Sequence, residues 1–138
     1  MDLSKILTIS GKPGLYKVIS QAKAGVLVES LIDSKRIPAF STDRISSLRE
    51  ISIFTEEEDT ELKLVFQKIF EQENGQPIAD LKKKSEKEII SYFTSILPNY
   101  DKERVYVSDM KKVLSWYNIL VAKGLVDLEE DTEESAGE

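Results

Sequence analysis

The chain of 138 residues contains no cysteine and no histidine. Without cysteine the fold cannot use disulfides and needs no oxidising compartment, so the cytoplasm is the expected location. Zinc sites built on Cys or His, thiol nucleophiles, Ser-His-Asp triads and imidazole acid–base chemistry all lack their essential side chain. An enzyme would have to work with carboxylates, Lys, Tyr, Ser or Thr, and no spacing in the chain assembles such a site. We therefore expect a non-enzymatic protein with no metal and no other cofactor.

Long apolar runs are also missing. A membrane-spanning helix needs about 20 consecutive apolar residues, and no stretch of this chain approaches that length. The opening MDLSKILTISGKPG carries an acid at its second position and no long apolar block, so it does not resemble a secretory signal. Hydrophobic residues make up 41% and charged residues 32%, which is typical of a soluble globular protein. We expect no membrane partner.

Basic residues are fewer than acidic ones, since the chain has 19 Lys and Arg and 25 Asp and Glu, which gives a net charge of −6. The imbalance is uneven along the chain. Residues 1–55 carry 8 basic and 5 acidic side chains, residues 56–100 carry 6 and 10, and residues 101–138 carry 5 and 10. The first part is therefore mildly basic and the remainder acidic. An acidic protein repels nucleic acid at long range, although a local basic face can still bind it.

The first 56 residues alternate short apolar runs with turn residues, a pattern typical of a small antiparallel sheet. The opening segment 3–9 is compatible with either a helical turn or a first strand. Pro38 lacks an N–H, so its strand should lie at an edge or carry a bulge. The predicted strands are Leu15–Ser20, Val26–Leu31, Arg36–Ser41 and Glu50–Thr55.

One predicted turn precedes these strands, and others separate them. Gly11-Lys12-Pro13-Gly14 suits a type II turn, because Pro presets one central position and Gly accepts positive φ at the next. A phosphate-binding loop is a poor alternative, since the required upstream glycine and the Ser or Thr after the lysine are both absent. Thr42–Leu48 is predicted to form a short helical turn, with Thr42 or Asp43 as its cap.

Three amphipathic helices are predicted next. The first covers about Glu61–Glu73, with Asp59 or Thr60 as cap. The acids at 56–59 are better explained by the favourable charge at a helix start than by a metal site. The second begins at a Ser85–Glu88 capping box and ends at Pro98. The third runs from Ser108, as N-cap, to about Lys123. The expected buried stripes are Leu62, Val65, Phe66, Ile69 and Phe70; Ile89, Ile90, Phe93, Ile96 and Leu97; and Met110, Val113, Leu114, Tyr117, Leu120 and Val121.

These elements predict an α+β protein. Four or five short strands bury one apolar face most economically when the sheet curls, so we expect a small antiparallel barrel of SH3-like architecture in residues 1–56. A three-helix domain should follow in residues 57–126. Residues 127–138 are acidic and nearly devoid of apolar groups, which predicts a disordered tail.

Three long stretches carry a resemblance to a known family: SKILTISGKPGLYKVISQAKAGVLVESL, RIPAFSTDRISSLREISIFTEEE and LPNYDKERVYVSDMKKVLSWYNIL. They resemble a family of small bacterial proteins of unknown function, and the similarity spans roughly residues 2–122. The resemblance implies a small N-terminal β unit followed by a helical C-terminal unit. It implies no activity, cofactor or catalytic residue.

The first functional hypothesis is a module that binds another protein. A free strand edge at Arg36–Ser41 can accept a peptide strand. Trp116 lies beside the apolar stripe of an aromatic-rich helical half, which makes that half a candidate partner pocket. The candidate interaction surface consists of Lys17, Arg36, Phe40, Arg44 and Trp116.

The alternative is RNA binding by the β domain, with Tyr16 or Phe40 as a stacking surface. Because the whole chain is acidic, a protein partner is favoured over nucleic acid. An enzyme that uses carboxylates with Lys or Tyr ranks last. The basic face for RNA would comprise Lys12, Lys17, Lys23, Lys35, Arg36, Arg44 and Arg49.

Overall fold

The computed structural model describes residues 3–23, 25–40 and 44–126. Within these residues the strands are β1 (Ile6–Ile9), β2 (Lys12–Ala22), β3 (Gly25–Ser30), β4 (Arg36–Phe40), β5 (Ile45–Ser47), β6 (Ser52–Ile53) and β7 (Thr60–Glu61). The helices are α1 (Leu62–Gln72), α2 (Glu86–Ile96) and α3 (Val107–Ala122). Short 3₁₀ turns occupy Leu48–Glu50 and Leu81–Lys83. The α+β class is confirmed, and the predicted acidic tail lies outside the described residues.

Five strands form one antiparallel sheet in the order β4-β3-β2-β1-β5. β1 to β4 are a meander, and β5 returns to pair with β1 on its other side. The opening segment is thus a strand, which decides between the two alternatives left by the sequence. β4 lies at one end of the pairing order, so the edge position predicted from Pro38 is confirmed.

The predicted helical turn at Thr42–Leu48 is wrong for the residues that can be described. Ile45–Ser47 form β5, with Ile45 opposite Ile9, and the 3₁₀ turn comes only afterwards. The Ser47 hydroxyl donates to the carbonyls of Leu3 and Ser4 at 3.2 and 3.0 Å. Pairing with a strand some forty residues earlier therefore overrides the local turn preference. The proposed caps at positions 42 and 43 lie outside the described residues.

The predicted closing strand at Glu50–Thr55 does not join the main sheet. Its centre, β6, pairs instead with β7 just before α1. This pairing keeps Thr60 and Glu61 extended, so α1 starts at Leu62 with Glu61 as N-cap and no side-chain cap. The prediction of Asp59 or Thr60 as cap is therefore wrong.

Two other local predictions need correction. The first chain reversal is a two-residue turn at Ser10 and Gly11, because Ile9 already pairs with Lys12. Pro13 and Gly14 lie inside β2 where its register with β1 shifts, as in a β-bulge, and Gly14 takes the positive φ of 83°. At α3 the carboxylate of Asp109 accepts the Tyr106 N–H at 3.0 Å, so Ser108 is not the N-cap.

The main core joins the helices to one face of the sheet. Leu15 and Leu48 from the strand region are buried together with Phe66 of α1, Phe93 of α2 and Tyr117 of α3. A second, smaller cluster occupies the other face of the sheet and consists of Leu7, Ile9, Tyr16, Val28 and Ala39. The two clusters lie on opposite faces because successive strand side chains alternate.

The connector between α1 and α2 is fastened to α3 by side-chain hydrogen bonds. The Asn118 amide accepts from the Ile78 N–H at 2.7 Å and donates to the Ile78 carbonyl at 3.2 Å. The Tyr117 hydroxyl donates to the Gln76 carbonyl at 2.8 Å. The Ser85–Glu88 capping box that opens α2 is present as predicted. These contacts hold residues 76–84 along the side of α3.

Tyr117 predicts a loss of stability at alkaline pH. Burial, with the negative charge of Glu73 as a further cause, raises the pKa of Tyr117 from 10.0 to about 12. The neutral phenol is therefore favoured by the folded state, and its stabilisation is intact below pH 10 and lost as pH rises through about 12. Urea unfolding between pH 8 and 12 should show wild type losing stability faster than Tyr117→Phe over the upper part of this range. Equal slopes for the two proteins would contradict the assignment.

Candidate functional site

A groove runs along the exposed side of α3. Three adjoining cavities form it, with volumes of about 1000, 250 and 730 Å³. All three share Ser115 as a lining residue. One flank is the β1–β2 turn with the start of β5, and the other is the 3₁₀ turn of the α1–α2 connector. We call this surface the α3 groove.

Helical periodicity explains how α3 builds the floor of this groove. Lys111, Ser115 and Ile119 follow one another at intervals of four residues and therefore share one face. Lys112 and Trp116 form a neighbouring row with the same spacing. Ile32, in the turn after β3, adds an apolar side chain that is 59% exposed.

The rim of the α3 groove is strongly basic. Of the residues that the structure describes, eight cations line the three cavities, against one acid, Asp80. Among the described residues, none of the eight forms an ion pair. A local excess of seven positive charges thus stands on a protein whose net charge is −6. The cations are Lys12, Arg44, Lys82, Lys83, Lys84, Lys111, Lys112 and Lys123.

Backbone pairing brings the sheet cations to the groove. The Ser10 N–H donates to the Arg44 carbonyl at 2.8 Å, which places Arg44 beside the turn that leads to Lys12. The connector cations Lys82 and Lys83 belong to the 3₁₀ turn that Asn118 holds against α3 through Ile78. Residues far apart in sequence therefore converge on one surface.

Trp116 separates the α3 groove from a smaller cavity of about 160 Å³. That cavity lies between residues 51–54 and α3 and has mostly apolar walls. At its mouth the Arg104 guanidinium stacks 4.2 Å from the centre of the Phe54 ring. Trp116 is partly buried against the main core, and no described residue accepts a hydrogen bond from its indole N–H. The indole can therefore donate to a bound acceptor.

The five residues predicted as one interaction surface do not form a single surface. Arg44 and Trp116 both line the α3 groove. Lys17 and Arg36 instead lie on neighbouring strands of the sheet on either side of Glu29, at 3.7 and 3.1 Å from its carboxylate. The hydrogen bond from Arg36 is the main cause that lowers the pKa of Glu29, so this carboxylate stays charged and pairs with both cations. Phe40, half-exposed at the end of β4, is not among the groove residues.

Two details of the predicted binding modes meet structural obstacles. Tyr16 is only 8% exposed, in the second core cluster, so it offers no stacking face to a base. Pro38 pairs with Leu27 at the centre of β4. Since proline lies in edge strands with its nitrogen toward solvent, the free edge of β4 lacks a donor at its middle.

Sequence reasoning missed most of the groove. None of the predicted sites included Lys82, Lys83, Lys84, Lys111 or Lys112. The signal in the sequence was the spacing of Lys111, Ser115 and Ile119, which marks a mixed basic and apolar face on the third helix. Nothing in the sequence shows that Lys12 and Arg44 lie opposite this face.

Two general features of the described residues bear on the kind of site. No cluster of three or more acidic side chains within them is arranged to hold a metal ion. None of their helices is both long enough and apolar enough to cross a membrane.

Comparisons with known proteins give two family matches and one similar structure. Residues 51–120 match the family described as Domain of unknown function (DUF6852), and residues 3–48 match Domain of unknown function (DUF5606). A solution NMR structure of a protein from Bacteroides vulgatus, from the Northeast Structural Genomics Consortium, is 44% identical with a TM-score of 0.75. The similarity covers 91% of this chain and 90% of that one. No curated protein matches the chain.

Proposed function

This chain belongs to the family described as Domain of unknown function (DUF6852), and we propose that it acts as a non-enzymatic interaction module for a protein partner. The partner binds in the α3 groove through a segment that is acidic and carries apolar anchor side chains. The main support is the basic rim around an apolar floor, where the described residues supply eight cations and one acid.

Charge and shape each support one part of this proposal. Unpaired cations on a rim attract an acidic segment and set its register, since charge complementarity governs encounter and specificity. Exposed Ile32 and the partly buried Trp116 offer apolar contact area at the floor, where anchor side chains contribute most of the affinity. The cavity beside Trp116, about 160 Å³, has room for one anchor side chain.

RNA binding is the second candidate, because a basic surface also attracts phosphate. The floor favours protein, since Trp116 is accompanied there by Ile32, Ile51 and Ile119, branched aliphatic side chains that do not stack on bases as aromatic rings do. The net charge of −6 also repels a long polyanion.

An SH3-like curl of the five-stranded sheet is part of the proposal, and two observations support it. The second core cluster is buried although its members and the partly buried residues around it all come from strands β1 to β5. β2 is 11 residues long and shifts register twice, against β1 and against β3, and such bulges bend a strand. A curled sheet orients the β1–β2 turn toward α3. We place this interaction in the cytoplasm, where a chain without disulfides can work.

The test compares three full-length proteins as baits in native lysate. The groove variant carries Arg44→Glu, Lys111→Glu and Lys112→Glu. The control carries Lys68→Glu, Lys87→Glu and Lys102→Glu, which changes the net charge equally at exposed sites outside the groove. If each groove cation contributes about 1 kcal/mol, the groove variant should bind the captured partner about 100-fold more weakly, and the control should bind as wild type.

Nuclease treatment distinguishes the two candidates. A captured protein that survives nuclease, and is lost only with the groove variant, supports a protein partner. If wild type captures nucleic acid and the groove variant does not, the groove binds RNA instead of a protein. Equal capture by wild type and groove variant, or no specific capture by wild type, would overturn the groove as the binding site.

A further inference from the structure

We infer that residues 127–138 of this same chain dock in the α3 groove and compete there with the partner. The inference concerns the regulation of the proposed site, so it rests on the α3 groove being a binding surface. Charge complementarity, the point where the described chain ends and the length of the remaining segment each support it.

The C-terminal end of α3 lies at the groove, since Lys123 lines one of its cavities. The Gly124 N–H donates to the Val121 carbonyl and the Leu125 N–H to the Leu120 carbonyl, at 3.0 and 2.9 Å. With Gly124 at φ 68°, this is a Schellman motif, which stops the helix and turns the chain. Val126 then returns to the main core, where it is 5% exposed. Residue 127 therefore follows a fixed point close to Lys123, a lining residue of the groove.

The segment is long enough to span the surface. Lys111 and Lys123 lie twelve residues apart on α3, a distance of about 18 Å along the helix axis. Residues 127–138 reach about 40 Å when extended. The extended segment is thus longer than the part of α3 that lines the groove.

The charges match in number and sign. Residues 127–138 carry seven carboxylate side chains and no Lys or Arg. They face a rim of eight cations and one acid. Leu128 supplies one apolar side chain for the floor. A tethered segment acts at an effective concentration in the millimolar range, so even weak docking competes with a partner at lower concentration.

The absence of cysteine allows a clean test in the full chain. Thr132→Cys gives a single attachment site for a nitroxide spin label, which broadens the NMR signals of nearby amides. We expect broadening of the Lys111, Ser115 and Ile119 amides, and little effect at Ser91 on the exposed side of α2. Broadening should disappear in about 1 M salt, where charges are screened beyond about 3 Å.

Two variants with the same spin label decide whether charge pairing holds the segment. In the first variant the segment is neutralised, and the broadening should be lost. Its substitutions are Asp127→Asn, Glu129→Gln, Glu130→Gln, Asp131→Asn, Glu133→Gln, Glu134→Gln and Glu138→Gln. The control neutralises the exposed acids at 56–59 instead, and its broadening should remain. No broadening in the parent, or broadening unchanged by segment neutralisation, would overturn the inference.

A mixed sample separates docking within a chain from docking between two chains. Spin-labelled protein without ¹⁵N is mixed with ¹⁵N protein that carries no spin label. Broadening of the ¹⁵N signals would show that the segment docks on a second copy, and it would overturn docking within one chain. Spin-label broadening requires no partner. If the segment docks but no partner is captured, only the proposed function is contradicted. If neutralising the segment leaves partner binding unchanged, the competition is contradicted.

Discussion

Phe66→Ala should lower the free energy of unfolding by about 3–5 kcal/mol, because it deletes a ring from a close-packed core. The Phe66 side chain is 0% exposed and belongs to the cluster that contains both strand and helix residues. A domain of this size has about 5–15 kcal/mol of stability in total. The variant should therefore lose a large part of its stability and approach partial unfolding at ambient temperature.

Leu64→Ala is the matched control, since Leu64 lies on the same helix but is 46% exposed. Its expected cost is below about 1 kcal/mol. Urea unfolding followed by far-UV circular dichroism and by the fluorescence of Trp116 measures both variants. Because strands and helices share the main core, the two signals should move to lower urea together for Phe66→Ala. A cost below about 1 kcal/mol, or a shift in one signal only, would contradict the shared core.

Gly25→Ala should destabilise the protein by about 3 kcal/mol, because the new methyl group collides with backbone. A Cβ at Gly25 would lie 2.0 Å from the Ala39 carbonyl oxygen and 2.9 Å from the Phe40 Cα. Backbone atoms cannot rotate away as a flexible side chain can. Gly25 pairs with Phe40 across β3 and β4, so the two strands must separate at this end.

Gly11→Ala provides the comparison for Gly25→Ala. A Cβ at Gly11 meets nothing within 4 Å, but the residue has a φ of 83°. Its cost is therefore conformational alone, about 1–2 kcal/mol. Thermal unfolding of both variants should rank Gly25→Ala as the less stable. Hydrogen exchange should show faster opening of β4 only in Gly25→Ala, and the reverse ranking would refute the collision.

If residues 127–138 occupy the α3 groove, partner affinity must depend on salt in two opposing ways. Screening weakens the attraction between partner and rim, and it also releases the segment that competes for the rim. The variant with the neutralised segment retains only the first effect. Its partner affinity should therefore fall monotonically with ionic strength and exceed that of wild type at low salt.

Helices were the part of the fold most readily predicted. The expected ranges for α1, α2 and α3 agree with the structure to within two residues at each end. Most of the expected stripe residues are buried, although Ile90 is 36% exposed and Phe70 and Val121 are partly buried. The capping box at Ser85 is also present. Helical periodicity and caps involve residues three or four apart, so a single sequence contains the whole signal.

Strand pairing was predicted less well, since it depends on residues distant in sequence. The segment Glu50–Thr55 has the better strand composition, yet β5 at Ile45–Ser47 is the strand that joins the sheet. The site shows the same limitation. Arg44 and Trp116 were predicted together and do share the groove, whereas Lys17 and Arg36 pair with Glu29 elsewhere.

The amino-acid sequence by itself determined the α+β class, the three amphipathic helices, the restriction of the Pro38 strand to an edge or a bulge, and the lack of any Cys or His chemistry. These properties follow from composition and from local spacing. Tertiary structure alone decided which strand completes the sheet and which cations surround α3. The physical reason is that β5 pairing and the α3 groove both join residues from separate segments, and their proximity exists only after the chain has buried its shared core.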